Sequence, residues 1–260
     1  LEQPTLQSAP NPGPSLEPEG RFARARAYFT TRVDPLTSLF LVLPMFVIYQ
    51  IGTLAMMDCR GGRCSWRANG VDFLTGNLLA LTGGSRLVYA GVALVASMAL
   101  FGGVLWARRR AKLSPKLFAP VLLESAILAS IVGPTSVLLS RAVGLGAQGS
   151  SSFIGDIVTS CGAGLHEELV FRAGMFTGLL WLLERMGQSR WRALFVSGAL
   201  SSLAFSMVHH IGPLGEPFTV RAFVFRVFAG ALFAGIYRVR GFAIAAWTHC
   251  LYDVWVLALR

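Results

Sequence analysis

The sequence predicts an all-α fold, a polytopic transmembrane bundle of seven helices, or eight if residues 71–82 also cross. Hydrophobic residues make up 54% of the 260-residue chain and charged residues 14%, where soluble domains run near a quarter charged. Mean hydropathy is +0.58. The uncharged residues gather into runs of roughly 20, the length a helix needs to cross the hydrocarbon layer.

Residues 1–20 hold Pro4, Pro10, Pro12, Pro14 and Pro18 among Gln, Ser and Glu. Such a stretch has too little apolar surface to offset the entropy of ordering, and a disordered tail is expected. With the basic segment that follows, it fills residues 1–34, and residues 35–260 make the transmembrane domain. The chain opens at Leu1 without a basic n-region and a short apolar h-region, so the first apolar run is expected to be a retained helix.

Seven runs qualify as spans: 36–57, 86–107, 117–140, 156–183, 192–209, 220–237 and 241–259. The fourth is long for one crossing, which an interfacial helix at 153–160 ahead of a membrane segment from Gly162 would explain. The stretch 71–82 is too short to span and is expected to be interfacial or re-entrant. In the sixth run Gly230 with Ala234, and Ala231 with Gly235, give a small-residue spacing that lets helix backbones approach in lipid. Of the four cysteines, Cys161 and Cys250 fall inside apolar runs, so Cys59 and Cys64 are the pair placed to bridge.

The net charge is +10. The basic residues sit mostly at the ends of apolar runs, where anionic lipid and membrane orientation account for them, and no nucleic-acid module is visible. With seven spans and the tail inside, fourteen Lys and Arg fall on the cytoplasmic side and seven on the other. The expected location is therefore a bacterial inner membrane, multi-pass, with the tail inside. A crossing at 71–82 would reverse the sidedness of the later helices.

Ionisable residues inside the later runs fall in three clusters: Glu167, Glu168 and Arg172; His209 and His210; His249 and Asp253. Each charge costs about 2.5–3.5 kcal/mol at a helix centre in a bilayer, so the clusters are expected to face one another. All four histidines belong to these clusters, His166 included. Glu168 and Arg172, four apart, share a helical face and can pair. Glu167 is turned about 100° away and is free to meet a neighbouring helix. A desolvated carboxylate tuned by an imidazole can activate water, which makes Glu167 the candidate general base. Spacing does not choose between His209 and His210. His249 and Asp253 share a face, and such a pair can orient an imidazole or donate to an oxyanion.

Other chemistries fit less well. His166-Glu167-Glu168-Leu169-Val170 opens like a zinc-protease helix, but Val170 stands where the second histidine must return. Glu167, His209 and His249 as three metal ligands remain compatible with the spacing. Ser201 and Ser202 lie near His209 in sequence, but no nucleophile elbow precedes them.

At these residues the chain resembles the CAAX protease and bacteriocin-processing (CPBP) family of intramembrane proteases, which includes the type II CAAX prenyl endopeptidase. The matches are Glu167, Glu168 and Arg172 in EELVFR, Phe205 and His209 in FSMVH, and His249 with Asp253 in HCLYD. The resemblance covers about residues 117–259. It implies a catalytic core at 153–259, in which Glu167 activates water with help from His209 while His249 and residue 253 stabilise the oxyanion. It also selects His209 over His210 and makes Glu168 and Arg172 a structural ion pair. Asp253 stands where the family has Asn. An ionised Asp repels an oxyanion, so this residue must be protonated or serve by orienting His249.

The expected function is thus an endopeptidase with no metal or other cofactor. Its partners would be membrane lipid and a peptide or protein with a membrane-associated or lipid-modified C-terminus, a sorting anchor of an exported protein being one such substrate. The alternative is a non-catalytic membrane protein, a self-immunity factor or a small peptide or proton transporter, that uses the same polar cluster for binding. Transport calls for broken repeats or a polar path on both sides, and neither shows in the sequence.

Overall fold

The structure, a computed structural model, describes residues 17–60, 63–65, 78–108, 115–142, 152–211, 215 and 217–258. The chain divides into two compact units, Leu1–Arg32 and Val33–Arg260. The first holds helix α1, Glu17–Thr30. It begins inside the stretch expected to be disordered. Pro18 does not prevent this, because in a first turn its missing N–H breaks no intrahelical bond. The rest of the expected tail, residues 1–16, lies outside the described residues.

The second unit opens with α2, Pro35–Leu41, and α3, Leu43–Met56, which meet at a 41° bend. Asp34 caps α2 by accepting from the Thr37 amide at 3.0 Å. Pro35 and Pro44 sit in the first turns of the two helices, where proline restarts a helix but cannot continue one. A hairpin of β1, Asp58–Arg60, and β2, Arg63–Ser65, follows. Its strands are antiparallel with Cys59 opposite Cys64, and a disulfide joins the two cysteines. Then come α4, Arg86–Arg108, α5, Phe118–Ala142, and α6, Phe153–Glu167. A π-helical segment, Glu168–Phe176, leads into α7, Thr177–Arg185. The last three helices are α8, Arg190–Val208, α9, Val220–Arg240, and α10, Phe242–Ala258.

Among the described residues, four helical stretches are long and apolar enough to cross a membrane: Arg86–Trp106, Pro115–Gly133, Arg190–Val208 and Val220–Arg240. The bent pair α2–α3 makes a fifth if it is one span. The count falls short of the seven expected, and the reason is physical. The run 156–183 is not one α-helix but α6, the π segment and α7. The last run forms a 17-residue helix whose first nine residues are all buried in protein. The expected element at 71–82 lies mostly outside the described residues. Its final turn, 78–81, packs Leu79 against Met57, Tyr89 and Ala93.

Helix α10 is the axis, packed by α5, α6, α9 and α2. Ala243, Ala245 and Ala246 keep its surface slim, and Gly164 of α6 lies directly on it. A Cβ at Gly164 would come within 2.6 Å of the Ala246 carbonyl oxygen, a backbone approach that only glycine allows. The Ser125 hydroxyl donates to the Ile244 carbonyl at 3.4 Å, and the Trp247 indole N–H donates to the Leu41 carbonyl at 3.0 Å. Arg240 grips Glu124 of α5 with Nε at 2.7 Å and a terminal nitrogen at 2.9 Å, a fork pairing that satisfies both charges within the protein. The outer helices turn Leu87, Trp106, Phe195 and Phe228 outward, apolar exposure that suits a lipid solvent and makes this an integral membrane protein.

Candidate active site

The three polar clusters meet at one place. Glu167 ends α6, Glu168 and Arg172 lie on the π segment, His209 caps α8, and His249 and Asp253 lie one turn apart on α10. The wider π turn begins at the glutamate doublet, as such local rewindings often do where a chain presents functional groups. Its hydrogen bonding is tied off by Thr177, whose hydroxyl donates to the Arg172 carbonyl at 3.0 Å.

The two carboxylates share His249, each at a different ring nitrogen, and differ in their other neighbour. Glu167 Oε2 lies 3.9 Å from His209 Nε2 and 3.7 Å from His249 Nε2. Both separations are too long for direct hydrogen bonds. Glu168 sits 3.2 Å from Arg172 Nε through Oε2 and 2.8 Å from His249 Nδ1 through Oε1. Asp253 Oδ2 lies 3.8 Å from the same His249 Nε2.

The imidazoles are fixed by their second nitrogens. His209 Nδ1 is 2.7 Å from the Phe205 carbonyl. A carbonyl only accepts, so this nitrogen carries the proton, and in the neutral ring Nε2 turns a lone pair toward Glu167. His249 Nδ1 donates to Glu168, leaving Nε2 facing Glu167 and Asp253. The ring of Phe233 stacks on His249 at 4.4 Å with an interplanar angle of 13°. Arg172 donates to the Gly230 carbonyl at 3.1 Å, and its guanidinium carbon lies 4.4 Å from the Phe205 ring centroid. A buried cation is thereby given a carboxylate, a carbonyl and a π face.

Several neighbours stand apart from this cluster. His210 packs edge-on against Phe218 at 5.2 Å. His166 Nδ1 donates to the Gly162 carbonyl at 2.9 Å, and its ring meets Tyr49. The Ser201 hydroxyl donates to the Phe171 carbonyl and Ser202 to the Gly198 carbonyl, each at 2.7 Å, so neither is aimed at His209. Among the described residues no group of three or more His, Cys, Asp or Glu is arranged to hold a metal ion.

Two features were not readable from the motifs. Phe233 carries no ionisable group, and nothing in its spacing ties it to a histidine sixteen residues later. Glu168 was expected to be occupied by Arg172 alone, whereas its second oxygen reaches a different helix.

The family model for type II CAAX prenyl endopeptidase Rce1-like proteins matches residues 149–255, a stretch that contains all six of these ionisable residues. No curated protein and no solved structure matches the chain. Residues 149–255 thus carry the sequence pattern of the CAAX protease family.

Proposed function

We propose that the chain is an intramembrane endopeptidase in which Glu167 activates water against a peptide bond near the C-terminus of a membrane-associated substrate. The observation that carries this reading is the placement of Glu167 Oε2 between two imidazole Nε2 atoms, at 3.9 and 3.7 Å. A water bridging these groups donates one proton toward Glu167 and the other toward the lone pair of His209. Its oxygen becomes nucleophilic as Glu167 takes the proton. Glu167 then delivers that proton to the departing amine.

The oxyanion side falls to His249 and Asp253. Glu168 fixes His249 through Nδ1, so the imidazolium form can donate from Nε2 to the developing charge. Because Glu168 already orients this ring, an orienting role for Asp253 is redundant. Asp253 serves instead as a neutral carboxyl that donates a second hydrogen bond. Glu168 and Arg172 hold the π segment and, through it, the ring of His249. No resident metal or cofactor takes part in this scheme.

In this reading the chain crosses a bacterial inner membrane seven times: the bent α2–α3 pair, α4, α5, the composite α6–π–α7, α8, α9 and α10. The experiment is to replace Glu167 by Gln in its own cells and identify the protein that accumulates uncleaved. A precursor that appears in Glu167→Gln cells, and is processed when wild-type protein is restored, supports the reading. Normal processing of every membrane-associated protein in those cells would contradict it.

A further inference from the structure

We infer that the site opens to the non-cytoplasmic, disulfide-bearing face of the membrane and acts on substrates delivered there. This rests on the proteolytic reading above for the word substrate, but its geometry does not.

Helix contacts order the two ends of the second unit. Gly52 of α3 lies against Val158 of α6, and Tyr49 lies against Gly162 and His166. The two helices are therefore antiparallel, and the start of α6 lies at the Met56 end of α3, where the Cys59–Cys64 hairpin begins. Ser206 of α8 bonds the Phe223 carbonyl of α9, and Ser202 lies against Gly230. These two helices are also antiparallel, so the end of α8 and the start of α9 share one end of the unit. The other end of α9 is pinned by the Val33 amide, which donates to the Arg240 carbonyl at 3.0 Å, at the α2 side of the bent pair. Helices α5 and α10 run parallel, with Ser125 bonding the Ile244 carbonyl and Gly133 lying against Trp255. One end thus gathers the hairpin and residues 152, 209–211, 217–220 and 258. The opposite end gathers residues 33, 115, 185–190 and 240–242.

The polar cluster is open toward the hairpin end. Helix α8 stops at His209, level with the site, while α9 and α10 continue past it: Phe233 lies 13 residues after Val220, about 20 Å of helix, and Ala258 lies nine after His249, about 14 Å. Toward the opposite end α8 continues for its full 19 residues and closes the site. Exposure follows the same gradient. His209 and Asp253, the two members nearest the hairpin end, have side chains 23% and 25% exposed, whereas those of Glu168 and Arg172 are 0% exposed.

The hairpin supplies the compartment. A disulfide such as this one, between exposed Cys59 and half-buried Cys64, persists in an oxidising space and not in a thiol-reduced cytoplasm. The substrate class that follows is a membrane-tethered segment presented on the exported side. A chain terminus lying in the cytoplasm would face the closed end of the site.

The test uses the full-length protein in intact cells. Cells are first treated with a permeant maleimide to block free thiols. They are then exposed to an impermeant phosphine reductant and to an impermeant maleimide–polyethylene glycol. Wild-type protein is expected to gain a gel shift that a Cys59→Ser/Cys64→Ser double variant lacks. A Gln188→Cys variant in that double background, probed without the first block, is expected to shift only after permeabilisation. The reverse pattern, no shift of the wild type until permeabilisation and a shift of Gln188→Cys in intact cells, overturns the inference and leaves the proteolytic reading standing. The precursor that accumulates in Glu167→Gln cells is expected to be digested by added proteinase K without lysis. Protection until lysis also overturns the inference. If labelling follows the expected pattern but Glu167→Gln leaves processing normal, proteolysis is lost and the assigned sidedness survives.

Discussion

At the scale of single residues, the difference between two adjacent glutamates is a difference of partners. Glu168 is fully buried with Arg172 on one side and His249 on the other. Replacing it by Gln leaves a buried guanidinium uncompensated, a change that typically costs about 3–5 kcal/mol. Unfolding of detergent-solubilised Glu168→Gln should show a loss of that order, and Glu168→Gln should be the less stable of the two glutamine variants. Glu167 has no such ion pair with a guanidinium, so its amide variant should unfold like the wild type. Asp253 gives a second contrast. If its neutral carboxyl donates to the oxyanion, Asp253→Asn keeps a donor and most of the activity, while Asp253→Ala loses about 10²–10³ in kcat, the usual cost of removing one such donor. Phe233 acts through another group. Its stack on His249 is worth about 0.5–1.5 kcal/mol, so Phe233→Leu should lower kcat several-fold with KM little changed, and Phe233→Tyr should restore it.

Elements explain what the sequence disclosed and what it withheld. The helical class was legible because apolar runs of spanning length leave little choice of secondary structure in lipid. The ionisable clusters were legible because charges in such runs are costly and must converge. Helix breaks were not. Pro44 and the Glu167–Glu168 doublet sit in runs that read as continuous by hydropathy, yet one becomes a 41° bend and the other a π segment. Which oxygen of Glu168 meets which helix depends on that extra width of turn, and periodicity of 3.6 carries no trace of it. Glycine contacts were half legible. The Gly230 spacing marked α9 as a close-packing helix, but the tightest approach to backbone is at Gly164, where a Cβ would fall 2.6–2.9 Å from the Ala246 and Cys250 backbones and the Cys250 Cβ. Backbone cannot step aside as a side-chain tip can. Gly164→Ala should therefore part α6 from α10, cost about 1–3 kcal/mol and take activity down with it. Denaturation and cleavage assays on the same preparation would show both effects or refute the contact.

For the molecule as a whole, α10 carries the architecture and half of the site together. Its small first half is sheathed by α2, α5, α6 and α9, and its second half presents His249 and Asp253 to groups from α6, the π segment and α8. The bundle thus keeps its polar groups facing one another and its Leu, Val and Phe side chains facing lipid. The central claim is that this enclosed cluster hydrolyses peptide bonds through Glu167. The most direct measurement is the single-turnover cleavage rate of the accumulated precursor by purified wild-type and Glu167→Gln protein in lipid vesicles, at matched folded fraction. The account predicts a loss of at least about 10²–10⁴-fold, the range for removing a general base. A rate for Glu167→Gln within a factor of a few of the wild type would contradict it.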